Sequence, residues 1–216
     1  MSVSRRRVGI LISGRGSNMM ALVAAAAAPD FPAEIALVLS NNPEAEGLAS
    51  AAARGVATEA IDHRTFGRDR ASHEAAMDAA LVAHGVELIC LAGYMRLLTP
   101  WLVARWAGRM INIHPSLLPA FTGLHTHARA IEAGVTLHGC TVHLVTEALD
   151  AGPILAQAAV PVIPGDTETA LAARVLRQEH ALYPQALRDL IDPAGQRAAA
   201  PEAALINPLP RRGAGP

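Results

Sequence analysis

The sequence predicts an α/β fold with a doubly wound, mostly parallel sheet of about seven strands. Three observations carry this prediction. Short valine-, isoleucine- and leucine-rich runs alternate with helical segments of about ten residues, the rhythm of successive βαβ units. Several of these runs are apolar throughout, as strands buried on both faces are. The last two runs are joined by a short link, which permits an antiparallel pair. The expected architecture is therefore Rossmann-like, with an antiparallel strand in its C-terminal part.

The elements follow in order. Val8–Ile12 reads as a buried strand, Ser13–Asn18 as a turn, and Met19–Ala28 as a helix broken by Pro29 and Pro32. Ile35–Leu39 is a second strand, closed by Asn41-Asn42-Pro43, and Glu46–Arg54 is a helix ended by Gly55. Val56–Ile61 is a third strand, Ala71–His84 a helix stopping at Gly85, and Leu88–Ala92 a fourth strand before the loop Gly93–Arg96. A short helix over Pro100–Trp106 precedes a strand from Met110. Thr126–Ala133 is helical, Cys140–Val145 and Ile154–Val162 are strands, and Thr167–Ile191 is a long amphipathic helix. Its apolar stripe is Leu171, Val175, Leu182, Ala186 and Leu190. Residues 1–191 are expected to form one domain of two halves, 8–100 with the glycine-rich turn after the first strand and 101–191 with the polar strand from Met110. The Ala/Pro/Gly-rich tail 192–216 is expected to be loosely ordered.

Composition excludes several classes. The 216 residues carry a formal net charge of −1, so no global field recruits nucleic acid or an anionic membrane. All 18 basic residues are arginine, which removes any mechanism that needs a lysine amine. No stretch approaches the ~20 apolar residues that span a bilayer, and the apolar run after Arg5-Arg6-Arg7 is too short for a secretory signal. Cys90 and Cys140 sit in apolar strand-like runs and read as buried free thiols, with a disulfide the alternative. The expected location is cytoplasmic.

Four constellations can carry chemistry. Gly14-Arg-Gly-Ser-Asn18 follows the first strand, where glycines permit close backbone approach and a helix N-terminus offers free N–H groups. It is either a phosphate site or a tight turn with a polar helix cap. The third glycine of a dinucleotide fingerprint is replaced by Met19, and no acid ends the second strand. Asn112 and His114 stand two apart on one strand, so both point to one face roughly 7 Å apart. Asn112 can donate to an oxygen gaining charge, and His114 can carry a proton near neutral pH. Asp150, in the turn Glu147–Pro153, is a candidate carboxylate partner for that imidazole. Gly123-Leu-His-Thr-His127 offers alternating histidines without a third ligand at suitable spacing, so no metal is expected. These two, His138 and His143 all read as making structural or substrate hydrogen bonds, with His143 buried on an apolar strand. Glu179 lies on the apolar stripe, where a carboxylate needs a partner. An arginine or a ligand are the two alternatives.

Together these segments resemble the glycinamide ribonucleotide formyltransferase family of folate-dependent purine synthesis. The match runs from Val8 to about Leu190. It rests on Ile-Ser-Gly-Arg-Gly-Ser-Asn18, Leu-Ala-Gly-Tyr-Met-Arg96, Asn-Ile-His-Pro-Ser-Leu-Leu-Pro119 and Gly-Leu-His-Thr-His127. It continues through Gly-Cys-Thr-Val-His143, Leu-Asp-Ala-Gly-Pro153 and Gln-Glu-His-Ala-Leu-Tyr-Pro184. The resemblance implies a formyltransferase fold and direct formyl transfer from 10-formyltetrahydrofolate, as co-substrate, to the glycine amine of the nucleotide. It implies that Gly16, Ser17 and Asn18 hold the phosphate and that Glu179 contacts the nucleotide. Arg70, Met95, Arg96, Leu97, Leu98 and Asn112 would line the folate site. Asn112 and His114 would stabilise the formyl oxygen, with His114 and Asp150 handling protons. The implied partners are small molecules only, and the chain is expected to be a monomer or weak homodimer. Ala120 and Thr122 depart from the family pattern, which often has a basic residue after Leu-Leu-Pro, and one extra residue lies near Phe66.

Three other functions use parts of the same pattern. A formyltetrahydrofolate hydrolase shares the Asn/His/Asp trio but needs no phosphate loop, and its relatives carry an N-terminal regulatory domain. A formyltransferase for methionyl-tRNA calls for a basic face and a further domain. A silent nucleotide-binding module would not need the trio.

Overall fold

A computed structural model describes residues 5–193. The strands are β1 (Arg6–Ile12), β2 (Ala33–Ser40), β3 (Thr58–Ala60), β4 (Leu88–Leu91), β5 (Met110–His114), β6 (Leu137–Leu144) and β7 (Ile154–Pro161). The helices are α1 (Ser17–Ala26), α2 (Glu46–Ala52), α3 (Arg70–Ala83), α4 (Pro100–Arg105), α5 (Thr126–Glu132) and α6 (Glu168–Ile191). One sheet of seven strands runs in the order β3-β2-β1-β4-β5-β6-β7. Strands β3 to β5 pair in parallel, and β6 runs antiparallel to both its neighbours. The expected sheet, including its antiparallel strand, is the one found.

The apolar strand runs are explained by helices on both faces. In β1, Val8, Ile10 and Ile12 pack with Cys90, Ile111 and Ile113 against α1 and α6. Leu11, Ile89, Leu91 and Met110 turn to the other face and meet Met77, Leu81, Leu102 and Trp106 of the α3–α4 side. Val8, Ile10, Leu11 and Ile12 are all fully buried, and each such side chain contributes roughly 1.5–3 kcal/mol. By contrast β3 buries none of its residues and pairs only with β2. Its observed three residues are therefore shorter than the expected Val56–Ile61. A 3₁₀ turn, His63–Phe66, follows it, where the sequence pattern predicts no element.

The last helix corrects the expected stripe. Its buried residues are Leu171, Val175, Glu179, Tyr183, Ala186 and Leu187, and Leu182 and Leu190 lie only at the margin of the core. A spacing of four carries the buried line through Tyr183, whose polar tip needed an acceptor before burial was acceptable. The Tyr183 hydroxyl lies 3.0 Å from the Leu91 carbonyl and 3.2 Å from that of Ile111, joining the ends of β4 and β5. Cys90 and Cys140 are buried and unpaired, as the free-thiol reading expected. The tail expectation falls on residues 194–216, outside the described residues, apart from its first two.

Candidate active site

The chain reverses its winding between β1 and β4. The connection from β1 packs α1 on one face of the sheet, and that from β4 packs α4 on the other. Loops leaving adjacent strands toward opposite faces open a crevice at the strands' C-terminal ends, where open α/β sheets bind ligands. Residues 14–18 form one wall of it and residues 92–99 the other, with Ser13 beneath them at the end of β1.

The first wall is built of backbone. Gly16 caps α1 in a left-handed conformation, φ 71°, that a side chain would disfavour. Gly47 of α2 presses against this loop: a Cβ there would come within 3.0 Å of the Gly14 carbonyl oxygen and 2.6 Å of Ile12. The Gly47 N–H donates to the Gly14 carbonyl at 3.1 Å, fixing the turn. Ser17 and Asn18 then open α1, where the first N–H groups have no carbonyl partner within the helix. Asn18 bends inward and donates from Nδ2 to Glu179 Oε2 at 2.7 Å. Glu179 is thus partnered by an amide, and of the two alternatives for its partner an arginine is not among its contacts in the described residues. Only 6 % of Glu179 is exposed, and this burial holds its carboxyl above the usual carboxylate range, partly offset by the Asn18 hydrogen bond.

The second constellation stands on β5. Asn112 and His114 share a face, and the antiparallel register sets His143 of β6 directly opposite Asn112. The Asn112 amide donates from Nδ2 to His143 Nε2 at 3.2 Å. His143 Nδ1 donates to the Leu144 carbonyl at 2.9 Å, leaving Nε2 free to accept. Burial lowers the His143 pKa, favouring this neutral ring. The sequence shows His143 only as a histidine on an apolar strand; the strand register discloses that it touches Asn112.

Asp150 does meet His114. Its Oδ2 lies 3.5 Å from His114 Nδ1, and its Oδ1 lies 3.8 Å from His143 Nε2. The same Oδ2 accepts from the Gly123 N–H at 2.8 Å. His114 Nε2 donates to the Phe121 carbonyl at 3.0 Å, so each ring nitrogen of His114 faces an oxygen. Three non-glycine residues with positive φ stand in these loops: Phe121 (54°), His125 (56°) and Asp150 (51°). Such conformations cost about 1–3 kcal/mol each and persist where surrounding contacts hold them. Of the alternating pair, His125 caps α5 and His127 contacts His138, Nδ1 to Nε2, at 3.1 Å.

The second wall carries the residues expected to face the folate. Met95 and Leu97 are 67 % and 62 % exposed, large apolar side chains presented at the crevice rather than packed away. Leu98 packs inward against the α3–α4 core. Arg70, at the start of α3, donates to the Leu97 carbonyl. Despite the extra residue near Phe66, Arg70 therefore reaches this loop.

Residues 6–187 match the formyl transferase family. The chain belongs to that family. This formyl transferase is 43 % identical over 175 residues to phosphoribosylglycinamide formyltransferase of Escherichia coli, covering 81 % of this chain and 82 % of that one. It is 45 % identical over 184 residues to the trifunctional purine biosynthetic protein adenosine-3 of Homo sapiens, covering 85 % of this chain but only 18 % of that protein's length. The crystal structure of phosphoribosylglycinamide formyltransferase from Brucella melitensis superposes with a TM-score of 0.83 at 59 % identity, covering 87 % of this chain and 96 % of that one. A formyltetrahydrofolate deformylase from Pseudomonas syringae has the same fold at TM-score 0.81 with 28 % identity, over 89 % of this chain and 63 % of that one.

Proposed function

We propose that this chain transfers the formyl group of 10-formyltetrahydrofolate to the glycine amine of phosphoribosylglycinamide, in purine biosynthesis. One observation carries the choice between transfer and hydrolysis. A glycine-bounded helix start stands in the same crevice as Asn112, His114 and Asp150. A hydrolase has no use for a phosphate wall. The identity to named phosphoribosylglycinamide formyltransferases supports the same reading.

In this reading the 8–100 half supplies Gly16, Ser17 and Asn18 for the phosphate, and Glu179 meets the nucleotide beyond Asn18. The 101–191 half supplies Asn112, His114 and Asp150. Met95, Arg96, Leu97 and Leu98, with Arg70 behind them and Asn112 at the inner end, line the folate side. The amine attacks the formyl carbon, the new C–N bond forms and the bond to the folate nitrogen breaks. Asn112 donates its second amide hydrogen to the oxygen that gains charge, while His143 accepts the first. The proton lost by the amine passes through the His114–Asp150 pair to the folate nitrogen, which balances the reaction. No metal is needed. The enzyme works in the cytoplasm on small molecules, as a monomer or weak homodimer.

The test is formation of the formylated nucleotide from the two purified substrates. Stoichiometric product and tetrahydrofolate are expected. Release of formate at an equal rate without the nucleotide would establish the hydrolase instead.

A further inference from the structure

We propose that Ser13 is a positioning residue that sets the shape of the 93–98 loop, and through it the affinity for the second substrate. The inference rests on the reading that this loop faces the formyl folate.

Ser13 is the first residue beyond β1, at the point where the winding reverses. Its backbone N–H donates to the Gly93 carbonyl at 3.2 Å. Its hydroxyl oxygen accepts the Met95 N–H at 2.8 Å and donates its own hydrogen to Asn41 Oδ1 at 2.6 Å. Asn41 is 5 % exposed, and its Nδ2 lies 3.1 Å from His63 Nδ1 in the turn after β3. One polar line therefore crosses the strand ends from the β4 loop through Ser13 and Asn41 to His63. The directions are forced: Met95 can only donate, so the Ser13 hydroxyl must accept from it and give its hydrogen to Asn41. A hydroxyl used both ways polarises each bond in favour of the other.

The Ser13 contact falls on the backbone of Met95, whose side chain is exposed at the crevice. Gly93, two residues earlier, has φ 77°. From the other end, Glu74 of α3 accepts both the Thr99 N–H, at 2.8 Å, and the Thr99 hydroxyl. Between these anchors, Met95 to Leu98 touch the rest of the protein at the Leu97 carbonyl, through Arg70, and through Leu98 packing. Removing the Ser13 hydroxyl frees the Met95 end without touching Asn112, His114 or the Gly16–Asn18 loop.

The experiment compares Ser13→Ala, Ser13→Thr and Asn41→Ala with the unaltered enzyme. In Ser13→Ala the KM for 10-formyltetrahydrofolate should rise about tenfold, the worth of one such hydrogen bond, with kcat and the nucleotide KM within twofold. Ser13→Thr, which keeps the hydroxyl, should restore the folate KM, and Asn41→Ala should raise it in part. Equal rises in both KM values, or an unchanged folate KM in folded Ser13→Ala, overturn the proposal. Hydrogen exchange at the Met95 amide, without substrates, reads the same contact independently of the reaction assigned. Faster exchange in Ser13→Ala alongside an inactive parent enzyme points to failure of the functional reading alone. Unchanged exchange overturns the positioning role itself. If Ser13→Ala does not fold, Asn41→Ala carries both measurements.

Discussion

The two sides of the crevice are made of different material. The wall at residues 14–18 is backbone: a left-handed Gly16, a Gly47 pressed against the Gly14 carbonyl, and the open N–H groups of α1. The lip on β5 and β6 is side chain: Asn112, His114, His143 and Asp150 in mutual contact, with Asp150 also bound to Gly123. A phosphate asks for several N–H donors at fixed positions, which backbone supplies whatever the side chains are. Proton transfer asks for groups that titrate, which backbone cannot supply. The first wall should therefore be sensitive to added atoms, and the lip to removed ones.

The largest expected effect lies at the lip. Asn112→Ala, His114→Ala and Asp150→Asn should each lower kcat by on the order of 10²–10³, with thermal midpoints close to the parent. Turnover near the parent's in His114→Ala would remove the chemistry from this lip. Next comes the wall. Gly47→Ala places a carbon 2.6 Å from Ile12 and 3.0 Å from the Gly14 carbonyl oxygen, so the loop is pushed and the nucleotide KM should rise about tenfold while kcat at saturation holds. That figure is the cost of roughly one well-placed donor. If kcat falls and KM does not, the two sides are not separable. A smaller loss, about tenfold in kcat, is expected for His143→Ala, since Asn112 then lacks the acceptor that orients it. Steady-state kinetics with His143→Gln, which keeps an acceptor, should recover part of it.

The smallest effect concerns pH. Burial lowers the His138 pKa to about 4, against about 6.5 for an exposed imidazole. The unfolded chain then takes up the proton first, so the stabilisation is complete above pH 6.5 and is lost as pH falls toward 4. His127, also lowered by burial, adds in the same direction. Thermal midpoints should fall across that window, and His138→Phe should flatten the decline. A flat midpoint in the parent would show that the buried His127–His138 pair does not couple folding to pH.

Much of this contrast was legible in the residues. The apolar runs and alanine-rich helices announced the sheet, because burial on both faces leaves no polar alternation to confuse the period. Gly16-Ser17-Asn18 and Asn112-x-His114 could be found because their chemistry is local in sequence. His143 could not, since its contact with Asn112 depends on which residue the antiparallel register sets opposite. Its apolar neighbours made it look like a core histidine, which in part it is. The Glu179 partner was missed for a similar reason: Asn18 lies 161 positions away. Taking Leu182 and Leu190 for Tyr183 and Leu187 reflects a helix read by hydrophobicity alone, where a tyrosine with two carbonyls within reach competes well with leucine. Ser13 and Asn41 have the composition of ordinary turn residues, and a line of hydrogen bonds across four strand ends has no signature in one dimension.

The Asp150 carboxylate has a further consequence for anyone who would rebuild this enzyme. One of its oxygens faces the imidazole and also receives the Gly123 N–H from another loop. Residues 115–125 and 145–153 are therefore a single exchangeable part. A graft that imports either segment alone from a relative brings half of a joint, and a new specificity installed on one of them inherits the geometry of the other.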